Sequence, residues 1–253
     1  LKCDPVNGCG KFYKQHLDTC PYCGSPGWAA TLIPFNPLDW VYDLETYPNV
    51  FTGSFKHMNT GARMFFEISE RRNDLNDLVR FLYTLKTAGS RLVGFNNIGF
   101  DYPVIHFIIE NYGLQPTAAD IYQKAQAIID CPWDRRFDHV VWDSDIHIPQ
   151  IDLYKIHHFD NPSRATSLKV LGFNMRRKRV ADLPFDPTKI LAPDEYDILI
   201  EYMWDDVEAT LEFYQKSLPQ IELREQLTQR YGYNFLNCSD PKIGEQYIVM
   251  ELE

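Results

Sequence analysis

The chain has 253 residues, 45% of them hydrophobic and 24% charged, with a formal net charge of -10. This length and apolar content suit one large domain with a real core plus a smaller module. The acidic balance argues against a generally basic protein that coats nucleic acid, and without an apolar run of about 18 residues nothing is expected to span a membrane.

Four of the six cysteines crowd the start of the chain as Cys3, Cys9, Cys20 and Cys23, spaced Cys-x5-Cys-x10-Cys-x2-Cys. Thiols clustered this closely in a reducing, cytoplasmic setting read as a tetrahedral zinc site rather than as disulfides. Cys20-Pro21-Tyr22-Cys23-Gly24 forms the knuckle, and His16 is an alternative ligand to the wider-spaced pair. A zinc ribbon over residues 1–34 is too small to fold on apolar burial, so its one structural zinc would supply the folding energy. It would grip nucleic acid, dock a partner or brace the rest of the chain. Cys131 and Cys238 read as unpaired, and Pro34, Asn36 and Pro37 form a linker.

Beyond the linker, residues 40–44, 50–56 and 63–68 carry strand signals, with Asn59, Thr60 and Gly61 turning between the last two to give an antiparallel meander. Leu75, Leu78, Val79, Leu82 and Leu85 keep helical spacing over 73–88. A strand at 92–95 breaks at Asn96, Asn97 and Gly99, and a helix with Val104, Ile105, Ile108 and Ile109 follows Asp101. Residues 114–150 give little periodic signal. Within them, the alternation in Asp143-Ser144-Asp145-Ile146-His147 suits an exposed strand face better than a metal site. Asp152 reads as a structural or supporting acid. His157 and His158 lie near a stretch, 161–180, that holds Arg164, Lys169, Arg176, Arg177, Lys178 and Arg179 without an acid. That run suits phosphate contacts, or else a solvated basic face. Leu199, Tyr202, Asp206, Ala209 and Phe213 keep helical spacing, so Tyr202 and Asp206 face the same way. Ser239-Asp240-Pro241 marks a new helix start. That helix reaches Glu253 without a stop signal and Leu1 is not an initiator methionine, so a fragment is expected.

Asp43 and Glu45 stand two apart on the first strand and therefore share a face. Paired carboxylates repel unless they form a solvated rim or hold a cation between them, and an all-oxygen set selects magnesium or manganese. Asp43-x-Glu45, then Asn96-Asn97-Ile98-Gly99-Phe100-Asp101, then Tyr202-x3-Asp206, in that order, resemble the three exonuclease motifs of the DEDD superfamily, tyrosine subclass. The likeness covers residues 40–216 and is to the proofreading domains of family B and protein-primed phage DNA polymerases.

The resemblance implies an α/β, ribonuclease-H-like exonuclease fold, a mixed sheet flanked by helices, over 38–218. A helical connector, 219–253, would lead to a polymerase module in cis. It also implies two magnesium or manganese ions, because phosphodiester hydrolysis needs an activated water and charge neutralisation on both sides of phosphorus. Asp43 would bridge the ions, Glu45 and Asp206 would fix the one that activates water, and Asp101 would hold the other. Tyr202 would orient the water, since a phenol with a pKa near about 10 is a poor base at neutral pH. Thr46, Asn96 or Asn97, Phe100, and Lys169 of Ser167-Leu168-Lys169 would contact a single-stranded DNA 3′ end. The expected location is cytoplasmic, in a bacterial host if the protein is phage-encoded. A stand-alone RNA exonuclease and a non-catalytic zinc-ribbon module on a nuclease fold are the alternatives.

Overall fold

The computed structural model describes residues 38–135 and 137–252, all within one compact unit, Asn36–Glu253. The zinc ribbon expected at 1–34, with Cys3, Cys9, Cys20, Cys23 and His16, lies outside the described residues. Five strands form one mixed sheet in an α/β arrangement: β1 (Asp39–Tyr47), β2 (Val50–His57), β3 (Arg63–Ile68), β4 (Arg91–Gly94) and β5 (Gln150–Asp152). Their order is β3-β2-β1-β4-β5, and β2 alone runs against the rest. The expected meander is therefore present. A two-residue turn after Tyr47 brings Tyr47 opposite Val50, so β1 runs longer than 40–44 and its two acids lie inside the strand.

Alternation along β1 splits the molecule into two layers. Tyr42 and Leu44, with their neighbours Phe55 and Phe66, pack against α1 (Leu75–Ala88), α2 (Asp101–Glu110) and α3 (Ala118–Ile129) through Leu78, Leu82, Val104, Ile108 and Ile121. The opposite face carries Tyr47 and Val50 against Tyr196 and Leu199 of α6 (Tyr196–Tyr231), after the short α4 (Leu153–Ile156) and α5 (Leu168–Asn174). Asn49 in the β1–β2 turn ties this layer down: its amide exchanges bonds of 2.8 and 2.9 Å with the Leu191 backbone and donates to Tyr196 Oη.

Three elements differ from expectation. Helix α3 lies in the segment without periodic signal; it starts at a reciprocal Thr117–Asp120 capping box. Asp143–Asp145 form a 3₁₀ turn rather than a strand face. Helix α6 runs unbroken across 218–219 with Pro219 inside it, so the connector expected at 219–253 begins within a helix. One turn beyond the proline, Arg224 ties α6 to the segment that follows it. It is fully buried and its guanidinium donates to the carbonyls of Cys238, Gln220 and Ile156 and to Asp240, the first residue of α7 (Asp240–Leu252). Helix α7 begins where the Ser239-Asp240-Pro241 signal places it. Among the described residues no helix is long and apolar enough to cross a membrane.

One buried ion cluster joins the elements that matter below. Asp39 on β1 is fully buried and takes both prongs of Arg91 on β4, at 2.6 and 2.8 Å; Tyr214 of α6 also donates to it, at 2.5 Å. Arg91 reaches Glu225 of α6 as well. Removing one partner leaves a buried charge unpaired, so Arg91→Met should lower unfolding free energy in urea by roughly 3 to 5 kcal/mol. Tyr214→Phe deletes one hydrogen bond and should cost nearer ~1–2 kcal/mol. Equal, small losses would mean that the cluster does not hold the layers together.

Candidate active site

Each acid of the site arrives by a different local device. Asp43 and Glu45 face α6 because Tyr42, Leu44 and Phe55 take the other side of the sheet. Asp206 comes from α6, whose register is set by Glu208 two residues on: Lys56 of β2 reaches Glu208 at 2.7 Å, and Arg63 of β3 pairs with it too. Asp101 opens α2 after a sharp exit from β4. That turn needs Gly94, since a Cβ there would stand 2.6 Å from the Asn97 Cβ. It also needs Asn96 in the left-handed region (φ 64), which asparagine tolerates better than most residues. Asp152 is buried at the end of β5 and braces the turn by accepting the backbone N–H groups of Asn96 and Ile98 at 2.9 and 3.2 Å.

The result is a convergence of carboxylates. Single oxygens of Asp43, Glu45 and Asp206 lie within 4.8 Å of one another. Asp101 is close enough to raise the pKa of both β1 acids. Burial, and then the charge of Asp206 and Asp101, holds Asp43 and Glu45 well above the ordinary carboxylate range. Burial pushes Asp101 up to about 7, against hydrogen bonds from its own backbone and that of Leu44. It pushes Asp206 up to about 6, against a hydrogen bond from Tyr202. Tyr202 is thus bonded to Asp206 one helical turn away, as their spacing requires. Its phenol is pushed upward by burial and the neighbouring acids, so it stays protonated at neutral pH.

The arrangement fits cations better than it fits water alone. All the donors are oxygens, and Asp43 Oδ2 is buried without a hydrogen-bond partner. An unpartnered buried carboxylate oxygen is costly unless something positive meets it. Magnesium or manganese suits that donor set.

The other expected contacts divide. A cavity of about 330 Å³ is lined by Lys169, Arg177, Tyr202, Asp205 and Asp206, which puts Lys169 beside the acids; its ammonium pairs with Asp182. Asn96 is exposed, whereas Asn97 is fully buried and donates to Gln150 at 2.8 Å. Asn97 thus braces the turn, and of the two asparagines expected at substrate only Asn96 is exposed. Phe100 is half-buried against the core, and Thr46 alternates to the face of β1 away from the two acids. In the basic run, Arg177 is spent on Asp205 and Glu212, and Arg179 on Glu201. His157 packs at a tilt on Phe213 and bonds Ser217 at 2.8 Å, and His158 turns to Asp160, so both are engaged within the protein. Gln150 and Asp205 were not singled out from sequence; the only hint was an acid and an amide inside otherwise apolar runs.

No protein-family model matches this chain, and no curated protein matches it.

The raised carboxyls set a pH dependence. In the folded, metal-free protein they hold protons that the unfolded chain has released, so their contribution to stability is full below about pH 4 and is lost as pH rises through their folded values. Asp101, at about 7, defines the window. In EDTA, Asp101→Asn should match wild type near pH 4, and its advantage should grow up to about pH 7 and then level off, on the order of 5 °C in Tm by pH 8. Saturating magnesium should shrink the gap. A constant gap across that range would show that Asp101 is not electrostatically strained.

Proposed function

We propose that the chain is a metal-dependent 3′-to-5′ exonuclease that releases nucleoside monophosphates from single-stranded DNA ends. The observation that carries this is the meeting of Asp43, Glu45 and Asp206 from two facing layers, with Asp101 beside them and Tyr202 bonded to Asp206. A mixed sheet flanked by helices is compatible with a ribonuclease-H-like fold. The resemblance to proofreading domains suggests a polymerase module in cis and a cytoplasmic setting.

The chemistry assigned to each residue follows from its surroundings. Asp43, Glu45 and Asp206 would hold one divalent ion, and Asp101 with Asp43 a second; when bound, such ions supply neutralisation of the phosphoryl charge and acidify a water. Tyr202 keeps its proton and so orients the attacking water rather than deprotonating it. Asn96, exposed at the turn before Asp101, would contact the terminal nucleotide. Lys169 can exchange its exposed partner Asp182 for a phosphate in the adjoining cavity. Exposed ion pairs of this kind are worth little, so the exchange costs little.

End-labelled single-stranded DNA and RNA, incubated with magnesium, manganese or EDTA and resolved at single-nucleotide resolution, test the assignment. The expected result is a one-nucleotide ladder on DNA with either metal and none in chelator. Asp43→Ala with Glu45→Ala should cut the rate by about 1,000-fold or more with the circular dichroism spectrum unchanged. Near-normal cleavage by that double variant would end the assignment, and faster cleavage of RNA would reassign the substrate. Tyr202→Phe should lose less, roughly 10-fold to 100-fold, than Asp206→Ala, with substrate binding nearly unchanged. If Tyr202→Phe unfolds the protein instead, the tyrosine is a packing residue.

A further inference from the structure

A second group of ligand-type side chains lies further along α2, about 7 to 14 Å from Asp101 by helical rise. His106 and Glu110 are four residues apart on α2 and share a face. His147 reaches them from the segment entering β5. Its backbone N–H donates to Tyr102 Oη of the same helix at 2.7 Å, so the fold itself holds the ring there. One ligand atom from each of the three lies within 4.8 Å of the others. The two imidazoles stack at 5.4 Å, and His147 Nε2 stands 2.6 Å from Glu110 Oε1.

We propose that His106, Glu110 and His147 form a divalent metal site, separate from the acid cluster, that takes zinc or a similar first-row transition ion with water completing the coordination. Two imidazole nitrogens and one carboxylate are a zinc-type donor set, unlike the all-oxygen set around Asp43. Tetrahedral bonds of about 2.0–2.1 Å put ligand atoms about 3.3 Å apart, which lies between the closest contact and the outer limit of this cluster. Helix α2 has no basic residue in its last turn, so a cation there also meets the negative end of the helix. A cavity of about 260 Å³, lined by His106, Glu110, His139 and Asp145, gives water access.

Lys86 sharpens the proposal because it opposes the ion. Its ammonium lies 3.1 Å from His147 Nδ1, which fixes the tautomer that donates from Nε2 to Glu110. To bind metal through Nε2, the ring must carry its proton on Nδ1, and Lys86 must turn away. The bound ion would clasp the end of the helix that begins with Asp101 to the segment that delivers Asp152.

The test uses the full chain under reducing conditions, with excess magnesium to fill the acid cluster, dialysed against zinc and assayed for metal. Wild type should hold one zinc per chain more than His106→Gln and His147→Gln, because any zinc on the cysteines of residues 1–34 is common to all three. Lys86→Ala, at an exposed position, should bind this zinc several-fold more tightly. Cobalt-loaded wild type, whose ion keeps its oxidation state in reductant, should show visible ligand-field absorption that both histidine variants weaken. Equal zinc content in wild type and the folded histidine variants would overturn the site, as would unchanged zinc affinity in Lys86→Ala. Neither outcome bears on cleavage by the acid cluster.

Discussion

A buried carboxylate that accepts three hydrogen bonds from two side chains fixes the geometry on which everything else depends. Asp39 sits at the start of β1 and holds Arg91 of β4 and Tyr214 of α6, so the strand with the paired acids, the strand leading to Asp101 and the helix bearing Asp206 meet at one charge. The ion pair is bidentate and gains a phenol donor, which is the condition under which buried charges do not simply cost desolvation. Ion pairs of this kind add less stability than an apolar replacement of equal volume would, but they tolerate only one register. Register is what three acids from two separate elements require.

That frame holds together groups that repel one another. Asp43, Glu45, Asp101 and Asp206 all sit above their ordinary ionisation range because of burial first; mutual repulsion adds to it for Asp43 and Glu45, and the charges of Asp152 and Asp205 add to it for Asp101 and Asp206. Without a cation the site is a source of instability in an otherwise closely packed sheet, since Asp43 Oδ2 has lost water without gaining a donor. Such strain survives only where the surroundings over-determine it. Here they do so through Asp39–Arg91, through Glu208 with Lys56 and Arg63, and through Asp152 under the Asn96 turn.

What was legible in the sequence was what rests on local periodicity. Alternation showed that Asp43 and Glu45 share a face, and a four-residue step showed that Tyr202 and Asp206 do. Helix α1 was bounded by Asn73 and a run of leucines. Long-range pairing decided the rest. The extent of β1 depends on Val50 reaching back to Tyr47. The cations of 161–180 look free in the sequence because their acidic partners lie 13 to 35 residues away, and the pairing leaves fewer of them for phosphate. Asn96 and Asn97 could not be told apart until Gln150, 53 residues on from Asn97, was seen to occupy one of them. The capping box of α3 was visible as Thr117 and Asp120 but uses aspartate where glutamate or glutamine is usual, which hides the signal.

The remaining tension is between a chain of net charge -10 and the polyanion it is proposed to cut. A uniformly negative surface would repel DNA beyond about 10 Å at moderate salt, so approach has to be local. The cavity beside Tyr202 supplies locality: Lys169 and Arg177 line it, and Arg176 and Lys178 flank Arg177 at exposed positions without an ion pair among the described residues. Bound divalent ions would then reverse the field at the acids themselves, making the most negative part of the protein the part that accepts phosphate. On that account, acidity elsewhere on the surface would disfavour nonproductive contacts along the strand, and productive docking would occur only where metal and this short basic segment meet.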